Sequence, residues 1–326
     1  MYRLGTIKGI LKNCIFLSLF LLMGFQAFAD NWPSRTIKVV VPFGPGGAND
    51  LVARAVAEGV SKELGQAVIV ENKPGAGSVL GADFVAKSAP DGYTFLAPAA
   101  GIVTNSLIKT KMPYKESDLL PIVMISVSPS IIVVASDSPV NDIKGLVEGS
   151  KKIKPLNFST AGTGSTPHFV AEMLKTSTGS AFEIIPYKSG SEGVFAVVGH
   201  QVDITSEASV VVIPQIKGGK LKPLASTWST RISALNDVPT MKELGYPNVF
   251  IGHWTGLFAP KGTSEEIMEK MNLAVNAALK RPEIKDRLMS QGIEPVGGDL
   301  KSFQKYLTEE RARLSLVVKS SNMKED

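Results

Sequence analysis

The chain has 326 residues, 44% of them hydrophobic and 20% charged, which is enough for a substantial core and suits two domains or one large one. Its formal charge of +5 argues little for a nucleic-acid partner: Arg3, Lys8 and Lys12 fall in an acid-free leader, and without those three the balance is +2. The single cysteine, Cys14, lies in the same leader, so the remainder has no disulfide, no cysteine nucleophile and no thiolate to bind a metal.

Residues 1–29 read as a secretory signal peptide: three cations, an apolar run from Cys14 to Phe25, and the small-residue cleavage pattern Ala27-Phe28-Ala29. The run is too short for a comfortable membrane span, and no later segment reaches about 18 apolar residues. Cys14 stands at the start of the run, away from the cleavage position, which argues against a lipid anchor.

After the leader, Ile37 to Val41 (IKVVV) is a β-branched run expected of a strand buried on both faces. The loop PFGPGG follows, then a helix whose apolar stripe is Leu51, Val52, Ala55, Val56, Val60 and Leu64, ending at Gly65. The pattern repeats as a strand from Ala67 to Val70, the loop KPGAGS, a helix from Val79 to Ala86, the turn Pro90-Asp91-Gly92, and a strand from Tyr93 to Leu96. Alternating strands and helices imply a parallel sheet with right-handed crossovers. Ile122 to Ala135 is a long β-branched stretch broken by Pro129, placed to leave one lobe and enter another. A second round begins at Leu156 (LNFST) and passes through AGTGSTP to a helix from His168 to Lys175. Strands at 182–187, 202–205 and 222–227 and helical segments at 194–198 and 210–217 complete it. Val249 to Phe258 is the expected return crossing, and two crossings make a hinge able to close on a ligand. Segments 264–279, 282–290 and 300–317 read as amphipathic helices on the outside of the first lobe.

The glycine loops carry the chemistry. PFGPGGAND lacks the lysine and hydroxyl of a nucleotide phosphate loop. It remains a glycine turn before a helix start, where free N–H groups and the positive end of the helix dipole favour an anion, or else a plain tight connection. Capping by Asp50 or Asn49 would leave the amides of Gly46 and Gly47 for a ligand or water. GAGSVLG has the spacing GxGxxxG and no acidic residue at the distance a dinucleotide site needs. AGTGSTPH repeats the first loop's logic: Pro167 suits a first helical turn, Ser165 or Thr166 can cap, Gly162 and Gly164 admit close approach, and the hydroxyls of Thr163, Ser165 and Thr166 suit a carboxylate. Ser165 and His168 also raise a hydrolase, but the order is not G-x-S-x-G and nothing specifies a third member or an oxyanion hole. His168, His200 and His253 have no metal-ligand spacing, so neither a metal nor another cofactor is expected; His200 is expected to end a helix. Glu207 follows the strand VDIT, as a solvated carboxylate or, inside a cleft, as a selector of ligand charge.

Taken together, WPSRTIKVVVPFGPGGANDLVAR (32–54), VENKPGAG (70–77), PDGYTFL (90–96), STAGTGSTPHFVAEML (159–174), IPYKSG (185–190), GHQVD (199–203), GGKLKPLAST (218–227), DVPTMKELGYP (237–247) and WTGLFAPKGT (254–263) resemble the solute-binding receptors of tripartite tricarboxylate transporters, the TctC-like or Bug family of periplasmic proteins. The resemblance implies an α/β type II periplasmic-binding-protein fold, a Venus flytrap of two α/β lobes joined by hinge strands. Its expected boundaries are residues 30–129 and 251–326 for lobe 1 and 130–250 for lobe 2. It implies a non-enzymatic receptor for a small di- or tricarboxylate or related carboxylate, held by main-chain groups and bridging waters. The site carries over onto Phe43, Gly44, Pro45, Gly46, Gly47 and Asp50 in one lobe and Thr163, Gly164, Ser165, Thr166, His168 and Glu207 in the other. The implied partners are the ligand and the membrane subunits of such a transporter, a sensor kinase being the alternative; a monomer is the simpler expectation. Ser206-Glu207 without a following proline, and His253 before Trp254, depart from the family's usual pattern.

Overall fold

The computed structural model describes residues 32–151 and 155–324; the leader, with Cys14 and the cleavage position at Ala29, lies outside the described residues. The described residues from Arg35 onward form one compact unit, which carries all the helices and strands of the described residues.

In chain order this unit runs β1 (Ile37–Val41), α1 (Ala48–Leu64), β2 (Val68–Asn72), α2 (Val79–Ala86), β3 (Thr94–Leu96), α3 (Gly101–Ile108), β4 (Leu119–Ala135), α4 (Ile143–Ser150), β5 (Leu156–Thr160) and α5 (Thr166–Thr178). It continues with β6 (Phe182–Pro186), α6 (Gly190–Val198), β7 (Ile204–Ala208), α7 (Ser209–Lys217), β8 (Leu221–Ser226), β9 (Gly252–Pro260), α8 (Glu265–Lys280), α9 (Pro282–Ser290), β10 (Glu294–Gly297) and α10 (Leu300–Ser321).

The strands lie in the order β2-β1-β3-β9-β4-β7-β5-β6, with β8 and β10 also paired to β4. The expected parallel arrangement holds only at the flanks: β1 pairs in parallel with β2 and β3, and β5 with β6 and β7. The centre is antiparallel. From Leu119 to Pro129, β4 runs against β9, down to the pair Pro129 and Gly252. From Ser130 onward the same strand pairs with β7 and β8 instead. One 17-residue strand, buried along nearly all its length, therefore belongs to both halves of the sheet. The continuous apolar run broken by Pro129 is the sequence trace of this arrangement, since a strand covered on both faces loses the polar alternation.

Helix α8 packs on α1 and β4, as expected of an outer layer on the first half. The last helix departs from that expectation, because α10 packs on α3 in the first half and on α5 in the second. Its anchor is an aromatic cluster. Trp254 of β9 is fully buried and meets Phe303 edge-on at a centroid distance of 5.8 Å and Tyr306 at 6.3 Å, while Phe258 meets Phe303 at 5.3 Å.

This cluster surrounds Glu310, a carboxyl group with no exposed surface. Trp254 Nε1 donates to its Oε2 at 2.8 Å and the Tyr306 hydroxyl to its Oε1 at 2.9 Å, and Arg313 Nη2 stands 3.8 Å away. Burial pushes the carboxyl up to about 7, against the opposing pull of the Tyr306 hydrogen bond, the Arg313 charge and the Trp254 N–H. A folded-state value above the ordinary 4.5 means that folding favours the protonated acid, so its contribution is full below about pH 4.5 and is lost as pH rises through about 7. Thermal melts between about pH 5 and 8 should therefore show the wild type losing stability relative to Glu310→Gln as pH rises, by about 1.4 kcal/mol for each unit of displacement.

Candidate functional site

A cavity of about 470 Å³ opens between the two halves of the sheet. Five helices begin at its wall: α1 through Gly47, Ala48 and Asn49; α3 through Ala100 and Gly101; α5 through Ser165 and Thr166; α6 through Gly190 and Ser191; and α7 through Ala208. The residues preceding four of them, Gly47, Ala100, Ser165 and Ala208, place no side-chain cap on the helix; only Ser189, before α6, does so. The first N–H groups of a helix have no partner within it, and together with the helix dipole they make each such end attractive to an anion.

The first anion loop is held from behind. Asp50 is 2% exposed, and its Oδ2 accepts from the Gly46 amide at 2.9 Å and from Arg54 Nε at 3.0 Å. Its Oδ1 accepts from Asn72 Nδ2 at 2.8 Å, and the same Asn72 amide donates to the Phe43 carbonyl at 3.0 Å. Both ends of the glycine turn are thus tied to the end of β2. Burial alone would raise the Asp50 carboxyl, but the hydrogen bonds from Arg54, Gly46 and Asn72 prevail and hold it below its usual range. Asn49 turns the other way, donating to Thr255 Oγ1 of β9 at 2.9 Å and to the Pro98 carbonyl at 3.3 Å.

The second anion loop closes on itself. Ser165 Oγ donates to the Gly162 carbonyl at 2.7 Å, and the Gly164 amide donates to His168 Nδ1 at 3.3 Å. Burial, opposed by Glu172, lowers the pKa of His168 and so favours the neutral ring that can accept this bond. Gly164 has φ +74°, and a Cβ there would overlap the Ile108 side chain of α3 across the cleft, so two physical reasons exclude a larger residue.

Of the twelve site residues expected from sequence, Phe43, Gly47, Thr163, Gly164, Ser165, Thr166 and Glu207 line the cavity. Gly44, Pro45 and Gly46 form the exposed back of their loop, and Asp50 and His168 support the two loops from outside the cavity. Two local expectations change. Helix α1 starts at Ala48, before Asn49 and Asp50, so neither caps it, and the Gly46 amide goes to Asp50 and not to a ligand. The serine–histidine pair, discounted from sequence, is not hydrogen-bonded: Ser165 Oγ donates to the Gly162 carbonyl, and His168 Nδ1 accepts from the Gly164 amide.

Sequence reasoning missed Asn49, Gly77, the segment Ala99–Gly101, Thr104, Asn105, Lys188 and Gly190 as lining residues. The run APAAG before α3 carried a signal, since small residues before a helix leave backbone open to a ligand. Gly77 is held by Asn105, whose Nδ2 donates to its carbonyl at 2.8 Å. His253, noted only for its unusual position, lines the cavity beside Glu207. Among the described residues no group of acids and histidines could hold a metal ion, and no helix is long and apolar enough to cross a membrane.

Two half-sheets joined through crossing strands, with a cleft walled by helix starts, define a periplasmic solute-binding protein of the two-lobed type. The model of the tripartite tricarboxylate transporter family receptor matches residues 52–323, and the chain belongs to that family. The periplasmic binding protein BugD is similar, with a TM-score of 0.78 at 32% identity over 90% of this chain and 100% of that one. R. palustris Rpa4515 with adipate gives 0.81 at 31% identity over 90% and 99% of the two chains. MatC (Rpa3494) from Rhodopseudomonas palustris with bound malate gives 0.77 at 31% identity over 88% and 100%.

Asp50→Ala tests the support of the first loop. It should cost roughly 2 kcal/mol in urea denaturation, because three half-buried hydrogen bonds to one carboxylate, from Gly46, Asn72 and Arg54, are lost together. Since the folded-state value is depressed, this contribution is present above about pH 3.8 and is lost as pH falls through the lower folded value, so the gap between wild type and variant should close in acid.

Proposed function

We propose that this protein closes on a small organic carboxylate in the periplasm and presents it to the membrane subunits of a tripartite tricarboxylate-type transporter. The observation that carries the reading is the convergence of five helix starts, four with no cap from the residue before them, on one cavity whose only charged or titratable lining residues are Lys188, Glu207 and His253. Such a wall offers N–H donors and partial positive charge, the environment a carboxylate needs on leaving water. Adipate in Rpa4515 and malate in MatC support a carboxylate ligand here. The leader at residues 1–29, removed after Ala29, would deliver the chain to that compartment.

The division of labour follows from the strand crossing. Lobe 1 comprises residues 30–129 and 251–326, lobe 2 comprises residues 130–250, and the pair Pro129 and Gly252 marks the hinge. Phe43 and Gly47 from lobe 1 and Thr163 to Thr166 from lobe 2 then face one carboxylate from both sides. Closure excludes water and strengthens each hydrogen bond. At about 1.5 to 3 kcal/mol for each charge-assisted bond, a few such bonds supply the roughly 8 kcal/mol of micromolar affinity. The chain acts as a receptor and not as an enzyme; the Ser165 hydroxyl donates its hydrogen bond to the Gly162 carbonyl and not to a general base.

Thermal shift with a panel of mono-, di- and tricarboxylates, followed by calorimetry on the best ligand, tests the reading. Gly47→Asp and Ser165→Asp place a negative charge at the two helix starts, and both should abolish binding while melting within a few degrees of wild type. A Cβ at Gly47 has only an ordinary contact, 3.7 Å from the Gly44 carbonyl, so charge and not bulk is what that variant tests. Full affinity in both variants would refute the placement of the carboxylate.

A further inference from the structure

Glu207 stands at the end of β7, 5% exposed, with its side chain on the cavity wall. Its Oε1 accepts from the Ala208 amide at 2.8 Å. Its Oε2 has no hydrogen-bond partner among the described residues and is not among the fully enclosed polar atoms, so it remains open to the cavity. The carboxylate lies flat against the start of α6, where a Cβ on Gly190 would overlap Oε2; only glycine leaves that space.

No lysine or arginine pairs with it among the described residues. His253 Nε2 on β9 is 3.2 Å from Glu207 Oε1 but out of line for a hydrogen bond, and it is itself a buried nitrogen without a partner. Burial, opposed by Glu207, lowers the pKa of His253 and favours the neutral ring. Lys188, the one other charged residue of the wall, is exposed at residue level and makes no ion pair among the described residues. The cavity thus holds a nearly buried carboxylate with one oxygen unpaired by protein groups, and closure that excludes water is costly unless the ligand supplies the missing donor.

We propose that the ligand is an amino-carboxylate, its carboxylate on the helix starts at Gly47 and Ser165 and its ammonium group on Glu207 Oε2. This rests on the carboxylate-receptor reading and narrows it. A ligand with a second carboxylate in place of the ammonium would bring like charge against Glu207 and leave both groups short of donors. The departure of Glu207 and His253 from the family's usual residues thereby becomes a change of ligand charge and not of fold.

Calorimetry on matched pairs tests this: aspartate and 3-aminopropanoate against succinate, and glutamate and 4-aminobutyrate against glutarate, with wild type, Glu207→Gln and Gly190→Ala. In the wild type the best ammonium member should bind at least about tenfold tighter than its dicarboxylate counterpart, the fold-change expected of one charge-assisted hydrogen bond. Glu207→Gln should erase that preference, and Gly190→Ala, which displaces the same carboxylate by sterics, should weaken the ammonium members selectively. Dicarboxylates binding as well as their ammonium partners to wild type, or an unchanged preference in Glu207→Gln, would overturn this proposal while leaving the carboxylate receptor intact. Failure of every acid to bind would overturn both.

Discussion

The antiparallel pairing of β4 with β9 is the constraint on which the rest of the molecule depends. It ties Leu119 to Pro260 at one end and Pro129 to Gly252 at the other. Beyond that point β4 continues into the second half of the sheet with new partners. Because the same backbone serves both halves, the cavity walls are referenced to one continuous ladder. The side chains of β9 then divide by the alternation of a strand: His253 and Thr255 turn to the cleft side, and Trp254 turns to the aromatic cluster under α10. Thr255 holds Asn49 at the start of α1, and serine contacts hold the start of α7, where Ser128 and Ser209 hydroxyls meet at 2.7 Å. Helix starts that must point at a ligand are thereby pinned to the strands that cross between the halves.

Leaving those helix starts uncapped has a cost. A capping side chain typically stabilises a helix end by about 1 kcal/mol, and in four of the five helices that face the cavity the preceding residue supplies none, although Ser128 Oγ of β4 accepts from the Val210 amide of α7 at 3.3 Å. Of the five other helices among the described residues, α4, α8 and α10 are capped by Asp142, Ser264 and Asp299, whereas α2 and α9 are not capped by the residue before them. Stability is supplied instead behind the loops, by Asp50, Asn72 and Arg54 in one half and by His168 in the other. The cavity wall is an array of backbone N–H groups, and the loops that carry them are held by Asp50, Arg54, Asn72 and His168, which lie outside the cavity lining.

The sequence made much of this legible because its signals were local. The run IKVVV, the apolar stripe of α1 and the turn AGTGSTP reflect strand burial, helix amphipathicity and backbone permissiveness, each encoded within a few residues. The antiparallel centre was not legible, since Ile122 to Ala135 has the same composition whether its neighbours run with it or against it. Nor was the path of α10, whose amphipathic stripe says that one face is buried but not that it reaches both α3 and α5.

For the site the division is the same. That glycine loops precede helices could be read from order and spacing alone, because turn chemistry and capping act over three or four residues; Glu207, expected after the strand, lies within β7 opposite Ile131. That five helix starts share one cavity, that Gly46 gives its amide to Asp50, and that Glu207 faces His253 and the bare backbone of Gly190 required the folded chain. Those facts join residues as far apart as 49 and 255. Local pattern carries no information about such distances; long-range strand pairing and the packing of helices on it bring these residues together.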